Sequence, residues 1–240
     1  PPRTDLVFIT TPHAAVEEVA HNLAAVAHLN FRRLVVCHAS GMLTAAALEP
    51  LAKKGATVFS FHPLQTFPRD FLPKEIVPTA HNIYYGVDGT RRAIARARQL
   101  ARKLHGMVIV IPPERRAVYH AACVVASNHL TTMLWVVEQM FKSLRTNERK
   151  FYPVFEPIIM ATLRNVARTS PAQALSGPVA RGGVETVAQH FEAIREHSPD
   201  LLPYFVALTE ETTRLAEAKG SITQQQAQAL YSLSESYRRS

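Results

Sequence analysis

The feature that most constrains this 240-residue chain is a rhythm confined to its first half. Short β-rich apolar runs alternate with stretches of helical periodicity: Leu6 to Thr10, then Ala14 to Leu29, then Leu34 to Cys37. Leu43 to Lys54 follows and closes at Gly55, a residue suited to ending a helix. Strand-like runs recur at Thr57 to Phe61, Ile83 to Val87 and Met107 to Ile111, the last two separated by a basic helix. Such alternation predicts a doubly wound α/β domain with a mostly parallel sheet. After Pro112-Pro113 the rhythm stops. No Pro or Gly interrupts Glu114 to Leu144, which predicts one long helix of about 30 residues, roughly 45 Å at 1.5 Å per residue. The remainder reads as further helices broken at Pro153, Pro157, Pro171 and Pro203. The expected organisation is an α/β domain over residues 1–112 and an all-α domain over residues 113–240.

Hydrophobic residues make up 47% of the chain, enough to bury a core and to argue against disorder. Its two cysteines, Cys37 and Cys123, lie in apolar runs and not at framework spacings, so a reducing, cytoplasmic setting is expected. No run reaches the roughly 18 apolar residues of a membrane span, and no membrane partner is expected. The net charge of +8 would suit a nucleic acid, but the arginines are spread over many segments. The densest run, "RRAIARARQLARKLHG", places Ile94, Ala97, Ala101 and Leu104 on one stripe with the basic residues opposite. That pattern is a solvated helix face, and no nucleic-acid partner is expected.

In open α/β sheets ligands bind beyond the C-terminal ends of the strands. Here those ends are polar: Thr11-Pro12-His13, His38-Ala39-Ser40-Gly41, and His62-Pro63-Leu64-Gln65-Thr66. In "FSFHPLQTF", strand alternation places Phe59 and Phe61 on one face and Ser60 and His62 on the other, so that His62 emerges at the rim. On the long helix, Arg116, Tyr119, His120, Cys123, Ser127 and Thr131 share an arc of about 120°, with Asn128 beside it. The expectation is that imidazoles from three strand tips and from His120 open onto one cleft. No HxxxH, HExxH or CxxC spacing occurs, so no metal site is expected, and no nucleophile-elbow spacing accompanies Ser40.

Taken together, "DLVFITTPHAAVEEVA", "CHASGMLTAAALEPL", "FSFHPLQTF", "YHAACVVASNHL" and "ALSGPVARGGVETVAQH" resemble the Rossmann-like oxidoreductases whose C-terminal half is the domain of unknown function 2520. Their architecture is related to pyrroline-carboxylate reductases, prephenate dehydrogenases and hydroxyacid dehydrogenases. The resemblance implies NADP or NAD as cofactor, NADP being favoured, and hydride transfer to or from a small C=O or C=N substrate bound between the two domains. It also implies a homodimer formed through the helical domain. By the same resemblance Thr11, Pro12, His13, His38, Ser40 and Gly41 line the cofactor. Gln65, Thr66, Arg116, Tyr119, Ser127 and Asn128 bind substrate, and His120 or His62 donates the proton. The family's glycine-rich GxGxxG turn does not occur in this sequence. Roughly 70 residues would supply that unit, so the resemblance makes residues 1–112 an incomplete Rossmann-like dinucleotide-binding domain and the chain is expected to be a fragment. The rival expectation is a non-catalytic binding or dimerisation protein on a degenerate Rossmann scaffold.

Overall fold

A computed structural model describes residues 5–67, 70 and 72–238. Of the loop prolines after the third strand, Pro68 lies outside the described residues. The first half runs β1 (Leu6–Ile9), α1 (Val16–Ala24), β2 (Val35–His38), α2 (Glu49–Lys53) and β3 (Thr57–Pro63). It continues through a helical turn α3 (Pro73–Ile76), β4 (Tyr84–Gly89), α4 (Arg91–Lys103) and β5 (Met107–Val110). The strands form one sheet in sequence order. β1, β2 and β3 are parallel, as are β4 and β5, while β3 and β4 are antiparallel. The single antiparallel pair needs no crossover helix across the sheet, and the proline-rich loop makes that return.

Alternation along β3 sorts the two faces. Phe59 and Phe61 join Cys37, Tyr85 and Val87 in a core closed by Ala93, Ala97 and Ala101 of α4. The small residues of α4 let it lie close on the sheet while its arginines face out. The other face buries Ile9, Val36, Leu48 and Leu51 against α1 and α2. Toward the strand tips, that second face becomes polar.

The long helical stretch is observed as α5 (Arg116–Val124), a π-helical segment (Val125–His129) and α6 (Leu130–Ser143). The backbone stays helical on both sides of that segment, so the expected 30-residue rod contains one wider turn, a form enriched at functional sites. The chain folds as two compact units that divide between Leu130 and Thr131. α5 therefore belongs with the sheet. In the second unit, α7 (Phe151–Arg168) and α8 (Pro171–Ala174) precede α9 (Val184–His197), α10 (Leu202–Lys219) and α11 (Gln224–Arg238). Val187, Phe191, Leu202, Val206 and Leu230 form its core. No helix among the described residues is long and apolar enough to cross a membrane.

Candidate functional site

β3 does not stop at Phe61 but pairs through His62 and Pro63, which lie opposite Gly86 and Tyr85 of β4. Proline donates no N–H and so suits the last position of the strand. This extension carries the His62 ring to the sheet rim on the polar face. α5 crosses above it, and His62 Nδ1 lies 2.8 Å from the Tyr119 hydroxyl. The His120 ring stands edge-on to His62 with centroids 6.1 Å apart.

Two glycines make this approach possible. A Cβ on Gly86 would sit 2.2 Å from the Tyr119 hydroxyl, and one on Gly41 would sit 2.5 Å from His120 Cδ2 and 2.8 Å from His62 Nε2. Real Cβ atoms do not come that close, so both positions require the missing side chain. Gly86 was not singled out from the sequence, although a glycine inside the apolar run "YYGVDG" is the recognised mark of close backbone approach.

The resulting cleft, about 420 Å³, is lined by His62, Gln65, His120, Cys123, Ser127 and Asn128 among others. All of it lies within the first unit, and the π-helical segment supplies Ser127 and Asn128. Thr66 also lines it, beside Gln65, whose amide is engaged in holding the loop. Gln65 Nε2 donates to the Thr79 carbonyl at 2.7 Å, and its Oε1 accepts from the Thr66 N–H at 2.8 Å.

The four imidazoles separate, contrary to the single-cleft expectation. His62 and His120 line the cleft. His38 is fully buried, its Nε2 2.9 Å from the Thr44 carbonyl, because the turn after β2 folds back over it. His13 is exposed at the tip of β1 with Thr11 and Pro12, and none of the three lines the cleft. They stand two strands from β3, roughly 10 Å along the sheet.

Arg116, expected to meet a ligand, is turned inward and only 2% exposed. Its Nε donates to the Gly41 carbonyl at 2.9 Å, Nη2 to the Ser40 carbonyl at 3.0 Å and Nη1 to the Gly86 carbonyl at 3.4 Å. The guanidinium thus ties the turn after β2 to β4, directly beneath the two histidines. Ser40 caps that turn by accepting from the Leu43 N–H at 3.1 Å. Asp88, also missed in the sequence, is buried and accepts from the Ala45 N–H at 2.7 Å. Its own N–H donates to Ser60 Oγ at 2.9 Å. Burial works against the Arg116 charge and the Asp88 carboxylate favours it.

These surroundings set the protonation of the site. Burial pushes His62 down to about 4, and the charges of Arg116, His120 and His38 act in the same direction. The ring is therefore neutral at neutral pH, which leaves it no proton to donate as an imidazolium there. Burial also lowers His38. Burial first, then Cys123, raises the Tyr119 phenol, which keeps its proton. The Arg116 guanidinium lies 5.2 Å from the Tyr119 ring centre, a cation–π contact. Among the described residues no group of three His, Cys, Asp or Glu side chains is placed to hold a metal ion.

The fold is shared with solved structures. A Thermotoga maritima protein, TM1727, is 21% identical and superposes with a TM-score of 0.71, over 92% of this chain and 81% of its own. A candidate NADP oxidoreductase from Bacteroides fragilis is 17% identical with a TM-score of 0.68, over 89% of this chain and 77% of its own. A pyrroline-5-carboxylate reductase from Coxiella burnetii is 14% identical with a TM-score of 0.50, over 90% of this chain and 76% of its own. No curated protein matches the chain. At these identities the likeness establishes the Rossmann-like architecture. Residues 83–212, more than half of the chain, match the family described as Domain of unknown function (DUF2520), from β4 through most of α10; this chain is a member of that family.

Proposed function

We propose that the protein is an NAD(P)-dependent oxidoreductase acting on a small C=O or C=N compound held in the His62–His120 cleft. The observation that carries this reading is the convergence of His62, Tyr119 and His120 at the C-terminal edge of the parallel strands β1 to β3, where such sheets receive their ligands. The fold of this chain is also that of a candidate NADP oxidoreductase and of a pyrroline-5-carboxylate reductase, which supports a nicotinamide cofactor.

Thr11, Pro12 and His13 offer an exposed flank at the β1 tip, and the half-buried Ser40 stands at the turn after β2, where Gly41 is buried. These fit one side of a dinucleotide, while a GxGxxG turn that would cradle its pyrophosphate is not in the sequence. Bound there, the cofactor supplies hydride. His62, held neutral, orients the substrate by hydrogen bonding, and proton delivery falls to His120. Ser127 and Asn128 position the substrate from the π-helical segment. Arg116 is a positioning residue: it fixes the Ser40–Gly41 turn against both rings.

Calorimetric titration with NADPH and NADH tests the reading. Saturable binding, tighter for NADPH, is expected from the chain extended upstream by a glycine-rich unit; no binding by that longer form favours the non-catalytic scaffold. In an active form, His120→Ala should cut turnover far more than cofactor affinity. Equal losses in both would remove His120 from the chemistry.

The proposal extends to a homodimer through the helical half. α7 has no buried residue, and Ile158 is 64% exposed with Val154, Met160 and Leu163 also open. A largely apolar helix with no buried side chain calls for a covering surface, and a second copy of α7 supplies one of matching chemistry. Sedimentation should give a dimer, and Ile158→Lys a monomer.

A further inference from the structure

The lining of the cleft narrows what it can hold. Its polar side chains include His62, Gln65, Thr66, His120, Cys123, Ser127 and Asn128, and none of the described lining residues carries a carboxylate. The buried Asp88 carboxylate nearby takes the Ala45 N–H. Below the cleft sits the Arg116 guanidinium, anchored by three backbone carbonyls and unable to swing away. An ammonium or iminium nitrogen entering here would approach a fixed positive charge, while the Asp88 carboxylate that balances it is buried outside the lining.

His62 has one ring nitrogen already engaged. Tyr119 occupies Nδ1 at 2.8 Å, and the phenol keeps its proton and so can donate to it. With the phenol as donor, the neutral ring carries its hydrogen on Nε2. Gly41 packs against that edge, where a Cβ would stand 2.8 Å from Nε2, and the ring lines the cleft. The groups facing His62 are Tyr119, His120, Arg116 and His38, none of them an acid that would draw the ring toward imidazolium.

We propose that the cleft recognises its ligand through an oxygen acceptor, a carbonyl or carboxylate, received by His62 Nε2–H and set by Tyr119, and that it rejects cationic nitrogen. The class assignment stands on the cleft itself; its link to a reaction rests on the oxidoreductase reading, of whose two substrate classes it selects C=O over a protonated C=N.

Two-bond proton–nitrogen spectra of the uniformly ¹⁵N-labelled chain at pH 7 test this, with the His62 signals assigned by their loss in His62→Gln. The expected pattern is the neutral Nε2–H tautomer, displaced by millimolar pyruvate and unmoved by the same concentration of ethylamine. Tyr119→Phe, which removes one hydrogen bond from the ring, should weaken the pyruvate response by about fivefold and mix the tautomers. An Nδ1–H or imidazolium pattern, a response to ethylamine, or no response to pyruvate overturns the proposal. Failure of NADPH to bind the upstream-extended form while pyruvate still displaces His62 sinks the oxidoreductase reading and leaves this one standing; the reverse sinks this one alone.

Discussion

The two faces of β3 are one residue apart in sequence and opposite in chemistry. On one, Phe59 and Phe61 meet aromatic and alanine neighbours, with Phe61 stacked on Tyr85 at 4.2 Å. On the other, Ser60 and His62 meet Asp88, Tyr119 and, through Gly41, Arg116. The apolar face is held by area and shape. The polar face is held by directed bonds whose loss strands a partner. The lesson is that damage on the two faces should differ in kind: on the first it costs stability and leaves the chemistry alone, on the second it changes both.

Phe61→Ala should have the largest effect, about 3–5 kcal/mol of stability by chemical denaturation. The His62 titration of whatever remains folded should be unaltered; a shifted His62 would break the distinction between the faces. Arg116→Met follows at about 3 kcal/mol, since three buried carbonyls lose their donor. Unlike the phenylalanine variant it should raise the His62 pKa, because a nearby positive charge is removed. Gly86→Ala should cost about 1–3 kcal/mol, the range for an overpacked site, and displace Tyr119 from His62, which nitrogen spectra would register as a change of tautomer.

A further effect is on pH dependence. His62 binds its proton near its ordinary 6.5 when unfolded and at about 4 when folded. The unfolded chain therefore holds more protons in that interval, and stability falls as the pH drops from about 6.5 toward 4. The difference between the thermal midpoints of the native chain and of His62→Gln should be constant above that window and change within it, the variant losing less on acidification.

Much of this was legible beforehand because strand alternation is a strict geometric rule. Phe59, Phe61, Ser60 and His62 fall on the faces their parity assigns, and α4 buries small residues at helical spacing while its arginines stay out. The site itself was only half legible. A polar stripe from Arg116 to Ser127 announces that α5 faces something polar, yet not whether each group meets a ligand or a carbonyl. Arg116 finds its acceptors at residues 40, 41 and 86, a match that depends on where two distant strands end. His38 was misplaced for a related reason, since the fold-back of residues 39–44 leaves no periodic trace. The wider helical turn at Val125–His129 was invisible as well, because its side chains suit an ordinary α-helix.

The reach of Arg116 has a dynamic consequence. One side chain of α5 clasps the turn after β2 and the middle of β4, segments that share no sequence neighbourhood. Neither can detach from α5 without breaking bonds to the same guanidinium, so amide hydrogen exchange at residues 40–43 and at Gly86 should proceed through one common opening event, with both sets slowing or quickening together as denaturant is varied.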